Sequence, residues 1–199
     1  MNRPASMVLA VICFASSAVF AQSASPAPTY IGTVKTCEGC HGSRGDSAGP
    51  STPRLNGQKA DYIIARLRNF LDPSKEAPHA SYMVHAVRNI PESVRLEVAQ
   101  YFADQTPTEA SPTALESSGQ HIFESGNPAN QIPACMSCHG SHGEGRGTVP
   151  RLAGQHGEYL RNQLWTFRLK LRKNNIMHAN IRQMSSGQID ALVSYLANN

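Results

Sequence analysis

Beyond residue 21 the chain has no cysteine to spare: Cys37, Cys40, Cys135 and Cys138 all lie in two five-residue motifs, and the fifth, Cys13, sits in an N-terminal apolar run. A disulfide framework is thereby excluded as the source of stability. Strong charge of either sign is also missing. Eighteen Lys and Arg against 14 Asp and Glu give a formal +4, and no interleaving of aromatic and basic residues stands out, so nucleic acid is not an expected partner. Nor is any apolar run long enough to span a bilayer. The run from Met7 to Phe14 follows a single early charge, Arg3, and leads to the small-x-small signal Val19-Phe20-Ala21. This predicts a cleavable secretory signal over residues 1–21 and a soluble, exported mature protein. Cys13, preceded by Ile12 rather than the small residue of a lipoprotein site, leaves with that signal.

What the chain does contain is a repeat. Cys37-Glu38-Gly39-Cys40-His41 recurs about a hundred residues later as Cys135-Met136-Ser137-Cys138-His139, each copy followed by glycine. In C-x-x-C-H the two thiols can form thioethers with the vinyl groups of a haem while the imidazole coordinates the iron from one side. Positions i, i+3 and i+4 share one face of a helical turn, which brings both sulfurs and the ring to the same porphyrin edge. C-x-x-C pairs also serve as zinc half-sites, thioredoxin-type redox centres and plain disulfides. A zinc site gives no reason for a histidine directly after each pair, so the doubled motif favours two covalently attached haem c groups. Their four propionates would bring the mildly basic polypeptide towards neutrality.

The repeat extends past the motifs. A glycine-rich loop after His41 leads to Pro53-Arg54-Leu55-Asn56-Gly57-Gln58, and one after His139 leads to Pro150-Arg151-Leu152-Ala153-Gly154-Gln155. This indicates duplication of one haem domain. A short helix is expected from Thr29 to Thr36, leading into the first motif. Ile63, Leu67 and Phe70, and likewise Leu160, Leu164 and Phe167, mark one buried face of a helix in each copy. Tyr62 and Tyr159 precede these faces and read as core aromatics with satisfied hydroxyls. Terminal helices follow: Pro91 suits a first turn ahead of Val94, Val98, Tyr101 and Phe102, and Ser185 with Gln188 forms a capping box ahead of Ile189, Leu192, Val193 and Leu196. Gly119, four residues before Phe123, permits a close helix approach that would place Phe123 near Tyr195. Thr106 to Thr113 has linker composition, dividing the mature chain into units 22–107 and 108–199. Units of roughly 80 to 90 residues are near the lower limit for an independent core, so buried haem should supply much of each.

Function then turns on the iron's second ligand. A thioether there stabilises Fe(II) and suits an electron carrier, whereas a vacant position suits peroxide or small gases. Met83 and Met177 are the candidates, because they stand at equivalent repeat positions after polar stretches, 72–81 and 170–175. Met136 lies within the attachment turn, and Met184, aligned with Ile90, reads as core. His79, His85 and His178 lie near the methionines but not at equivalent positions; His121, His142 and His156 read as exposed. Pro53 and Pro150 are placed to offer a carbonyl to the axial histidine's other N–H. Arg168, Lys170, Arg172 and Lys173 read as a solvated helix end.

Together, C-x-x-C-H-G, P-R-L-x-G-Q, the aromatic helix, the distal methionine and the terminal helix, each present twice in order, resemble the dihaem cytochrome c4 family over nearly the whole mature chain. The resemblance implies an all-α fold of two tandem class I cytochrome c domains, each wrapped around one haem c held by Cys37 and Cys40 or by Cys135 and Cys138. It implies His41/Met83 on one iron and His139/Met177 on the other, and periplasmic transfer of single electrons between redox proteins, from a quinol-cytochrome c reductase to a terminal oxidase or other acceptor, with no small-molecule substrate. The segments before the methionines depart from the family in lacking a glycine-arginine stretch. Two alternatives remain: a dihaem peroxidase-type enzyme, and the haem subunit of a periplasmic dehydrogenase.

Overall fold

A computed structural model of the chain describes residues 29–75, 81–109 and 117–198. The expected signal at 1–21, His79 and part of the linker lie outside the described residues. Among those described, the regular structure is helical, with two isolated bridges, Asn127 to Ile132 and Arg146 to Val149. None of the helices is long and apolar enough to cross a membrane.

In the first unit α1 spans Tyr30–His41. It is a single helix that contains the whole C-x-x-C-H motif, rather than a short helix leading into it. Thr29 caps its start, the hydroxyl accepting from Gly32 N–H at 3.2 Å. At its end Gly42 takes φ +79, and a Cβ there would fall 2.2 Å from the Asp46 carbonyl oxygen. That glycine lets the chain turn sharply away from the histidine. α2 (Ala60–Phe70), α3 (Ser81–Val87) and α4 (Glu92–Ala103) follow. Pro91 stands as the N-cap of α4 rather than in its first turn. Val34 of α1, Ile63 and Ile64 of α2, and Val94, Val98, Ala99 and Phe102 of α4 form the core.

The second unit spreads the same plan over α5 (Ser117–Ser125), a single motif turn α6 (Met136–His139), α7 (Gly157–Arg168), α8 (Asn175–Ile181) and α9 (Ser186–Ala197). α5 and α9 approach so closely that a Cβ on Gly119 would lie 2.1 Å from the Ala191 carbonyl oxygen. Phe123 and Tyr195 meet there with ring centroids 5.5 Å apart. The capping box at Ser185 and Gln188 starts α9, an arrangement worth about 1 kcal/mol. The core runs from Ile122 and Phe123 through Leu160, Phe167, Ile181 and Met184 to Ile189, Leu192, Val193, Tyr195 and Leu196.

The two P-R-L-x-G-Q segments face one another across the junction of the units, in reciprocal fashion. Gln155 bonds the backbone N–H and carbonyl of Arg54, and Gln58 bonds those of Arg151. Two residues read otherwise from the sequence also lie here. His156, expected exposed, donates from Nε2 to the Ser47 carbonyl at 2.8 Å. Arg172, expected in a solvated helix end, is buried, bonding Gln163 Oε1 at 2.6 Å and the Tyr62 hydroxyl at 3.1 Å, and stacking on Phe167. Tyr62 and Tyr159 are hydrogen-bonded to each other between the units. Tyr159 N–H also donates to the Pro50 carbonyl.

Candidate functional site

The two motif histidines end α1 and α6 and are buried alike, each 8% exposed. His41 Nδ1 lies 2.8 Å from the Pro53 carbonyl oxygen, and His139 Nδ1 lies 3.0 Å from that of Pro150. A carbonyl can only accept, so each Nδ1 carries the proton and each Nε2 is left with its lone pair. Burial holds both imidazoles below the usual histidine range, against the opposing pull of that carbonyl bond. Both rings are therefore neutral, the state a metal requires.

None of the four motif cysteines is paired in a disulfide. Burial pushes Cys37 and Cys135 up to about 11, so neither is the thiolate of a redox centre. Cys40 and Cys138 are exposed. Among the described residues no cluster of three or more His, Cys, Asp or Glu side chains is arranged to hold a metal ion.

The methionines do not end irregular loops: Met83 sits in α3 and Met177 in α8. Both are half-buried. Met177 packs against the second core, and its N–H is capped by Asn174 Oδ1 at 3.0 Å. His178 turns Nδ1 to the Phe167 carbonyl at 3.0 Å, tying α8 to α7, while His85 is exposed. Met184 is core, at 1% exposure.

This donor set fits a haem c: paired thiols and a neutral imidazole with its lone pair free, twice over. The second unit adds a further sign. Arg151 Nε is buried with no acceptor among the described residues, and a porphyrin carboxylate is the kind of group that satisfies it.

Sequence reasoning gave Gln58, Gln155 and Ser47 no role, although both glutamines close the repeated P-R-L-x-G-Q. Their identical place in the two copies was the available signal.

The cytochrome c family model matches residues 117–199. Cytochrome c4 of Azotobacter vinelandii is 33% identical over 190 residues, which cover 88% of this chain and 90% of that protein. The solved structure of Acidithiobacillus ferrooxidans cytochrome c4 matches with a TM-score of 0.77 at 34% identity, over 83% of this chain and 99% of that one. A thiosulfate dehydrogenase electron acceptor of Stutzerimonas stutzeri is 32% identical over 172 residues, 81% of this chain and 78% of that protein. Two helical units, each presenting a C-x-x-C-H with a buried neutral histidine, define a two-domain c-type cytochrome. The chain belongs to the cytochrome c4 family, and as such it is a dihaem electron carrier with one haem c attached at Cys37/Cys40 and one at Cys135/Cys138.

Proposed function

We infer that this protein is a periplasmic carrier whose irons are ligated by His41 and Met83 in a unit spanning 22–107 and by His139 and Met177 in a unit spanning 108–199, after loss of a signal at 1–21. Its partners are redox proteins: a quinol-oxidising complex as donor and a terminal oxidase or other periplasmic protein as acceptor. It binds no small-molecule substrate and performs no catalysis. The haem supplies a one-electron Fe(III)/Fe(II) couple when bound. The chain's part is to hold and tune it. Cys37, Cys40, Cys135 and Cys138 fix the macrocycle covalently, and the Pro53 and Pro150 carbonyls orient the histidines and make them stronger donors.

The observation that carries this reading is the pair of buried histidines with Nδ1 bonded to the same proline carbonyl of each repeat. The test is the optical spectrum of the holoprotein with a pyridine haemochrome assay. Two haems per chain and a full-strength near-infrared sulfur-to-iron band are expected. High-spin iron, or half that band with peroxide reactivity, would move the assignment to a dihaem peroxidase.

A second reading has its own support. Likeness to a thiosulfate dehydrogenase electron acceptor fits a haem subunit serving a periplasmic dehydrogenase. Co-purification of a stable complex with a catalytic subunit decides for that reading, and a free chain decides for the mobile carrier.

A further inference from the structure

The peptide group between Pro53 and Arg54 is used from both ends. Its oxygen accepts from His41 Nδ1 at 2.8 Å, and its N–H donates to Oε1 of Gln155, in the other unit, at 2.9 Å. The group between Pro150 and Arg151 does the same with the units exchanged: its oxygen accepts from His139 Nδ1 at 3.0 Å, and its N–H donates to Gln58 Oε1 at 2.8 Å. Each glutamine is locked in place. Its Nε2 donates to the same arginine's carbonyl at 3.0 Å, and its Oε1 also accepts the N–H of the next residue, Lys59 or His156. Both side chains are buried, 6% exposed.

Resonance makes the two ends of a peptide group one electronic unit. An acceptor on the N–H leaves more negative charge on the oxygen, and bonds chained in this way strengthen one another by roughly 10–30%. A more negative oxygen facing Nδ1–H makes the imidazole a better donor through Nε2. A stronger donor favours Fe(III) over Fe(II).

We propose that Gln155 and Gln58 are positioning residues that act crosswise: Gln155 sets the donor strength of His41 at the first haem, and Gln58 that of His139 at the second. This rests on the two histidines being iron ligands. Each haem's potential is then partly written in the sequence of the other unit, and docking of the units is itself a tuning step.

The test uses the holoprotein and its Gln155→Met and Gln58→Met variants, with the potential of each haem followed separately by NMR of its methyl signals. Gln155→Met is expected to shift the first haem towards Fe(II) by roughly two- to ten-fold in the Fe(II)/Fe(III) ratio at fixed ambient potential, with the second haem nearly unmoved. Gln58→Met is expected to do the reverse. A shift confined to the variant's own unit, an equal shift at both haems, or none overturns the proposal while leaving the ligand assignment intact. A wild-type protein whose histidines prove not to ligate iron overturns both. Should either variant fail to retain haem, the reduced wild-type protein still decides. A scalar coupling through the hydrogen bond from Arg54 N–H to the Gln155 side-chain carbonyl carbon, and from Arg151 N–H to that of Gln58, is expected, and its absence at either place overturns the proposal.

Discussion

The two units share one skeleton and differ in what surrounds it. Motif histidine, proline carbonyl and cross-unit glutamine are the same in both, with distances agreeing to about 0.2 Å. Outside that skeleton the second unit is held by apolar packing: Gly119 lets α5 press on α9, Phe123 meets Tyr195, and Met177 joins the core. The first unit relies more on polar ties. Glu38, inside the motif, accepts from Lys35 Nζ, Arg44 N–H and the Tyr101 hydroxyl at 2.8–2.9 Å. Glu92 is gripped by Arg95 and Arg68. A duplicated site can thus keep its chemistry while its two supports diverge, the one built on burial and the other on charge.

Truncating the largest fully buried side chain of each core tests this first. Phe102→Ala and Phe123→Ala should each cost about 3–5 kcal/mol, the largest effects expected. Because the first core is the smaller among the described residues, Phe102→Ala should abolish a cooperative transition in its unit, whereas Phe123→Ala should leave a weakened one. Denaturant unfolding by circular dichroism reports both units, and the fluorescence of Trp165, the single tryptophan, reports the second. Equal loss in the two variants would show that core size is not what separates them.

Gly119→Ala comes next. The added methyl has no room against the Ala191 carbonyl and the Tyr195 side chain, so α5 and α9 must part, at about 1–3 kcal/mol. The Trp165 transition should move, and the first unit should not.

The distal helices give a finer contrast. α8 is capped by Asn174 and tied to α7 through His178; among the described residues no equivalent tie holds His85 of α3, which is exposed. With Met83 and Met177 as the proposed ligands, exogenous imidazole should therefore displace Met83 more readily than Met177 in the wild type. Asn174→Ala, removing a cap worth about 1 kcal/mol, should bring the second haem's imidazole affinity up by about five-fold and narrow the gap. Loss of the near-infrared sulfur band against imidazole concentration measures it.

What the sequence made legible follows from how each feature is encoded. The attachment motifs, the capping box at Ser185, the apolar faces of α2 and α7 and the Gly119 contact are local patterns, and local patterns survive in one chain read alone. The proline carbonyls could be named because the repeat placed them twice. The junction could not be read in the same way: Gln58 meets Arg151, Gln155 meets Arg54 and Arg172 meets Tyr62 across about a hundred residues of sequence, and a buried polar pair leaves no periodicity. Hence His156 and Arg172 looked like surface residues. α3 and α8, seven residues each, are too short for a 3.6-residue repeat to stand out from a loop.

The smallest effect concerns acid stability, at Glu92 of the first unit. The Glu92 carboxylate receives Arg95 Nε at 3.0 Å and Arg68 Nε at 2.9 Å, and these bonds hold it below the ordinary glutamate range. A carboxylate depressed in the folded state contributes stability that is fully present above its unfolded value, near 4.3. That contribution fades as pH falls through the folded value. Glu92 is 40% exposed and Arg68 59%, so solvent and salt screen the cluster and its worth stays below about 1 kcal/mol. Glu92→Gln should thus lower the first unit's denaturation midpoint slightly at pH 7, less at pH 4, and not at all once the wild-type carboxyl is protonated. The Trp165 transition should be the same in both proteins at every pH. If the difference instead grew towards acid, or appeared in the second unit, the polar ties would not be what distinguishes the first support from the second.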